Sequence, residues 1–170
     1  ITDQQARGTL AAYGNNAIAM PHLNRLAGDS TVFKRAYCAQ PVCGPARAAL
    51  LTGTYPHING QVTHNADYMR SEYPCLSSLL PADYRCAYFG RSGNAHYGHH
   101  VAPPPQDFVE FEEFSLPPAA YLIANGQRFT NEVDRPLIPE QHSGPAYLAT
   151  RAQQFLGATG SDPFALFVSI

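Results

Sequence analysis

The sequence predicts an α/β domain with a largely parallel sheet flanked by helices, and three observations carry that prediction. Two short apolar runs, Arg85 to Phe89 and Phe164 to Ile170, have the length and hydrophobicity of buried strands. Helical segments with recognisable start and stop residues alternate with them, the pattern of helix-covered parallel sheets. The composition, 45% hydrophobic and 14% charged over 170 residues, supports a folded core.

Taken in order, Met20 to Gly28 reads as a helix, with Pro21 in its first turn, Leu23, Leu26 and Ala27 on one face and Gly28 at the exit. Thr31 to Tyr37 has strand-like composition. Pro41-Val42-Cys43-Gly44-Pro45 is a turn feeding a second helix, which Ala46 to Leu51 propagate and Gly53 stops. Leu76 to Leu80 is a short helical stretch, and Arg85 to Phe89 a buried strand ending at Gly90. Ser92 to Pro118 reads as loop, with three consecutive prolines and an acidic patch at Glu110, Glu112 and Glu113. Asn125-Gly126 between apolar flanks marks a hairpin within Tyr121 to Thr130. His142 to Leu156 is a helix with Ser143 as N-cap and Pro145 in its first turn, and Phe164 to Ile170 is a strand covered on both faces.

No internal repeat or linker divides residues 1–170, so the chain reads as one domain. A net charge of -2 offers no electrostatic reason to expect nucleic acid or an anionic membrane as partner. No apolar run approaches the roughly 20 residues that span a bilayer. The opening Ile1-Thr2-Asp3-Gln4-Gln5 has neither the charged nor the apolar region of a signal peptide, and its cut appearance leaves the compartment open. The spacing of Cys38, Cys43, Cys75 and Cys86 fits neither a zinc ribbon nor a dense disulfide framework. A last strand ending at Ile170 leads us to expect a truncated chain.

The chemistry concentrates in Cys43-Gly44-Pro45-Ala46-Arg47, continued by Ala48-Ala49-Leu50-Leu51-Thr52-Gly53-Thr54-Tyr55-Pro56-His57. A polarisable nucleophile precursor stands at a helix entrance, where backbone N–H groups and the helix dipole favour an anion. Arg47, one turn on, is spaced to turn its guanidinium back toward Cys43. A tetrahedral oxyanion such as sulfate or phosphate suits that combination.

Cys-x-Pro-x-Arg followed by Ala-x-Leu-Leu-Thr-Gly resembles the signature of the sulfatases. Pro21 to Leu26, Phe33 to Gln40 and Pro163 to Ser169 resemble further segments of that family, so the resemblance runs over essentially the whole chain, densest up to Gly60. It implies an alkaline-phosphatase-like sulfatase fold, incomplete at both ends here, and hydrolysis of sulfate esters. It also implies oxidation of Cys43 to formylglycine by a formylglycine-generating enzyme. In that mechanism one hydroxyl of the hydrated aldehyde attacks sulfur and the substrate alcohol leaves; the other hydroxyl then helps to expel sulfate and regenerate the aldehyde. Ca²⁺ is the implied metal, with Mg²⁺ as the alternative, and the substrate is a sulfated small molecule or sugar. Asp3 matches the family's first metal carboxylate; Gln4 stands where many members have a second aspartate, and Cys43 completes the metal residues present.

His96, in His96-Tyr97-Gly98, matches the histidine that contacts the formylglycine, and with Cys43 and Arg47 makes up the implied catalytic set. The family's lysine before that histidine is missing at its usual spacing; Arg91 keeps the charge with a different shape. Asn65 lies at the distance where sulfatases often place a substrate contact, and Arg91 and Asn65 are the candidate substrate-binding residues. Three histidines, His96, His99 and His100, lack a fourth ligand for zinc and read as a polar loop. The nucleophile-elbow pattern at Gly90-Arg91-Ser92-Gly93 fails at Asn94. The remaining metal and sulfate ligands of the family come from beyond residue 170, so the isolated 170 residues are expected to be inactive. Two other functions compete: a phosphonate monoester or phosphodiester hydrolase of the same superfamily, and a catalytically silent sulfatase-like binding protein.

Overall fold

A computed structural model describes residues 1–3, 5–63, 72–90, 108–113 and 143–170. These residues form two compact units, Thr2–Cys38 and a larger one made of Ile1 with Ala39–Ile170.

In the smaller unit, helix α1 covers Pro21–Gly28, as its sequence predicts, with Pro21 in its first turn. Two single 3-10 turns precede it at Arg7–Thr9 and Ala11–Tyr13, the second ending on Gly14 with φ 99°. Polar contacts knit this unit together. The Tyr13 hydroxyl donates to the Phe33 carbonyl at 3.0 Å, and Asn15 Nδ2 donates to the Gly8 carbonyl at 2.6 Å. The Arg7 guanidinium sits 4.7 Å from the centre of the Tyr13 ring. Thr31 to Tyr37, expected as a strand, is irregular instead, with Phe33 and Tyr37 69% and 89% exposed. Composition favours a strand there, but a strand needs a partner for its backbone groups, and among the described residues the segment has no ladder.

The larger unit is built on a parallel sheet of order β2-β1-β3, with β1 at Arg85–Gly90, β2 at Glu110–Glu113 and β3 at Phe164–Ser169. The register pairs Ala87 with Glu110 on one side of β1 and with Leu166 on the other. Ile1 adds one more step beyond β3: its backbone nitrogen donates to the Val168 carbonyl at 2.7 Å, and its carbonyl accepts from Ile170 at 2.9 Å.

The period-2 alternation of the strands divides the core into two faces. Cys86 and Tyr88 join Leu51, Cys75 and Phe108, with Ala165 and Phe167 of β3 packed alongside. Ala87 and Phe89 point the other way onto Leu148 and Phe155, with Leu166 and Val168. Edge-to-face ring pairs occur on both sides: Tyr88 with Phe108 at 6.0 Å on the first, Phe89 with Phe155 at 6.2 Å on the second. A parallel sheet covered on both faces explains why β1 is apolar from Cys86 to Phe89. β3 is only half-buried along most of its length among the described residues, less than its composition predicts.

Helix α2 is Cys43–Thr52 and a short α3, Pro56–Asn59, follows it. Gly53 takes the left-handed conformation at φ 66° and donates to the Ala49 carbonyl, the expected glycine stop. The next described helix, α4, is Gly144–Thr159, capped as predicted by Ser143, whose hydroxyl accepts from the Ala146 N–H at 3.3 Å. At its far end Arg85 Nη1 donates to the Ala158 carbonyl at 2.8 Å, a cation placed on a helix C-terminus.

The acidic patch corrects the reading of Ser92 to Pro118 as loop, because Glu110–Glu113 is strand β2. Composition masks it: carboxylates are depleted in strands, yet here Arg151 of α4 neutralises Glu110 and Glu112. The expected hairpin at Tyr121 to Thr130 lies outside the described residues.

Candidate active site

Val42 is extended, at φ −135° and ψ 134°, and its carbonyl accepts the first helical bond from the Ala46 N–H at 2.9 Å. Cys43 is therefore the first residue of α2, inside its first turn. The N–H groups of a first helical turn have no acceptor within the helix, and Pro45 removes one of them without cost. Gly44 and Pro45 are buried, whereas Cys43 is only partly so. The helix entrance thus offers a thiol beside backbone donors and the positive end of a dipole.

Arg47, one turn further, is 5% exposed. Its Nε donates to the Ser169 hydroxyl at 3.2 Å, and Ser169 is fully buried. That bond joins α2 to the carboxyl end of β3. Gly90, the last residue of β1, pairs with Ser169 in the ladder, so the ends of the two strands lie side by side. Ligands of open parallel sheets bind at the carboxyl ends of the strands. Arg91 follows Gly90 directly in the sequence.

A turn held by side chains supports the other end of α2. The Asn59 amide is fully buried; it donates to the Thr54 carbonyl at 3.2 Å, and its Oδ1 accepts from the Gln61 N–H at 3.0 Å. The Thr52 and Thr54 hydroxyls share a 2.8 Å hydrogen bond. The residues continuing the Cys-x-Pro-x-Arg motif thus anchor its helix.

The structure brings Cys43 and Arg47 together on one helix of the larger unit; Asp3 belongs to the smaller unit, where it is partly buried. Gln4, Asn65, Arg91 and His96 lie outside the described residues. Among the described residues no three His, Cys, Asp or Glu gather as a metal cluster. By side-chain type alone, the residues that the sequence resemblance would assign to a metal, Asp3, Gln4 and an oxidised Cys43, would offer only oxygen donors. Such a set fits Ca²⁺ or Mg²⁺ in kind.

Sequence reasoning missed Ser169 and Asn59. The lone polar residue ending an apolar strand was the available signal for Ser169. It also missed a second polar cluster, at the edge of β2 and α4. There Val109, Glu110, Glu112, Tyr147 and Arg151 line an open hollow of about 610 Å³. Arg151 donates to Glu112 at 2.7 Å and to Glu110 at 3.0 Å, and its guanidinium lies 5.1 Å from the centre of the Phe89 ring. The Tyr147 hydroxyl donates to Glu112. Burial first, and that bond second, push the Tyr147 phenol up to about 12, while the bond to Glu112 holds Arg151 above its ordinary range. These charges are mutually satisfied, which makes the cluster a tie between strand and helix.

The family profile described as Sulfatase matches residues 1–170. The chain is 27% identical over 184 aligned residues to an uncharacterized sulfatase, YidJ, of Escherichia coli, which covers 99% of this chain and 36% of that protein. It is 36% identical over 110 residues to the N-acetylgalactosamine-6-sulfatase of Homo sapiens, over 58% of this chain and 21% of the relative. The crystal structure of a phosphonate monoester hydrolase of Agrobacterium radiobacter superposes with a TM-score of 0.73 at 21% identity, covering 98% of this chain and 38% of the other. The fold is therefore that of the alkaline-phosphatase-like hydrolases, and the chain spans little more than a third of the length of those relatives it matches from end to end.

Proposed function

The chain belongs to the sulfatase family, and on that premise we propose that the whole protein hydrolyses a sulfate ester with a nucleophile made from Cys43. The observation that carries the reading is the placement of Cys43 as the first residue of α2, with the buried Arg47 one turn behind it. Oxidised to formylglycine by a formylglycine-generating enzyme, residue 43 supplies a hydrated aldehyde for covalent catalysis at sulfur.

The surrounding residues then act on charge. The first turn of α2 and Arg47 favour the anionic sulfate group and the negative charge that develops as its ester bond breaks. His96 is assigned the proton transfers at residue 43, Arg91 the cationic role of the family's lysine, and Asn65 a contact to the substrate. Asp3, Gln4 and the oxygen on residue 43 would hold Ca²⁺, or Mg²⁺ in its place, which when bound adds Lewis-acid polarisation. The substrate class is a sulfated sugar or other small sulfate ester, in keeping with the name of the N-acetylgalactosamine-6-sulfatase relative.

Peptide mass spectrometry across Cys43, after coexpression with a formylglycine-generating enzyme, tests the nucleophile. Conversion to the aldehyde or its hydrate supports the reading; an unmodified thiol under those conditions overturns it in favour of a silent binding protein. Rates of the whole protein on an aryl sulfate and an aryl phosphonate then test the reaction. A preference for the phosphonate replaces sulfate ester hydrolysis with the activity named for the Agrobacterium radiobacter structure.

A further inference from the structure

We propose that Ser169 is a positioning residue for Arg47, setting the plane in which the guanidinium meets an oxyanion at the entrance of α2. The inference rests on the reading of Cys43 and Arg47 as an anion site and adds a residue to it.

The hydrogen bond from Arg47 Nε to the Ser169 hydroxyl spans elements 122 residues apart in the chain, and both side chains are buried. Arginine grips sulfate or phosphate through two parallel N–H groups, so the orientation of its plane decides whether it binds with two bonds or one. A bond at Nε restricts rotation of that plane. The hydroxyl doing so is itself held. Residues 165, 167 and 169 alternate onto the α2 face of the sheet, and Ser169 pairs with Gly90 at the carboxyl end of β1. A group on a paired strand positions more accurately than one on a loop. Sequence position agrees: Ser169 is the one hydroxyl in an otherwise apolar strand, Phe164–Ser169.

The rival explanation is that Ser169 merely satisfies a buried arginine. A double-mutant cycle in the whole protein, with formylglycine content measured for each variant, separates the two. The variants are Ser169→Ala, Arg47→Ala, their combination, and Ser169→Thr, which keeps the hydroxyl. Two quantities are read: kcat/KM on an aryl sulfate, and affinity for inorganic sulfate by calorimetry. Ser169→Ala is expected to lower both about tenfold, the scale of one hydrogen bond to a charged group. In the Arg47→Ala background the same change is expected to cost less than about twofold. Ser169→Thr is expected to restore most of the loss, and thermal melting to show Ser169→Ala folded.

An equal loss with and without Arg47, or no loss on removing the hydroxyl, overturns the proposal. If the unmutated protein hydrolyses aryl sulfate or binds sulfate and the cycle is additive, only the role of Ser169 fails. If the unmutated protein does neither, the anion-site reading fails, and this inference with it.

Discussion

Gly90 and Ser169 stand opposite each other where β1 and β3 end, and a Cβ built on Gly90 would lie 1.9 Å from the Ser169 carbonyl oxygen. Gly90 also has φ 108°, a conformation that side chains rarely adopt. The close approach lets the two strand ends converge, and it explains why the apolar run of β1 must finish on glycine.

Gly90→Ala is therefore expected to destabilise the protein by about 3 kcal/mol or more, from backbone strain and overpacking together. Thermal or denaturant unfolding checks it. Because the clash is with a backbone oxygen, trimming the Ser169 side chain is expected to bring no relief.

Arg47→Lys keeps the charge but loses the planar fork and the Nε donor that meets Ser169. The expected loss is about a hundredfold in kcat/KM on an aryl sulfate, the scale of a charge-assisted bidentate contact. Rates are compared after normalising to formylglycine content, so that incomplete modification is not read as a catalytic defect.

Tyr147 makes stability depend on pH at the alkaline end. Its folded pKa is raised, to about 12, above the ordinary 10, so the folded state holds the proton more tightly than the unfolded chain. That stabilisation is complete below about pH 10 and is lost as pH rises through about 12. Denaturant unfolding at a series of alkaline pH values is expected to show wild type losing more stability across that window than Tyr147→Phe. Equal slopes would show that the burial of Tyr147 and its bond to Glu112 do not both persist in solution.

Phe155 and Leu148 are each 1% exposed and cover the face of the sheet opposite α2. Truncation of either to alanine is expected to cost about 2 to 5 kcal/mol through lost burial and a residual cavity. Phe155 should lie at the upper end, since it also meets the rings of Phe89 and Phe164. Denaturant titration gives both values, and a cost below about 1 kcal/mol would mean that α4 can be remodelled around the gap.

Much of the fold was legible because it follows from local rules. Proline in the first turn and glycine at the exit mark α1 and α2, Ser143 caps α4, and unbroken apolar runs mark β1 and β3. The errors fell where a distant partner overrides composition. Glu110–Glu113 is a strand because β1 pairs with it and Arg151 offsets its charge, and neither neighbour is visible in the local sequence. Thr31 to Tyr37 has the composition of a strand, but among the described residues no ladder completes it.

The site divides in the same way. The Cys43-Gly44-Pro45-Ala46-Arg47 motif by itself determined the family, the candidate nucleophile and the cation one helical turn behind it, since all three depend on residue identity and a four-residue spacing. Only the tertiary structure decided that Arg47 turns to Ser169, because a contact between residues 122 positions apart depends on which strand ends lie under the helix. That choice was made by parallel pairing of β1 with β3, the side-chain alternation that puts Ser169 on the α2 face, and a glycine small enough to let the strands close.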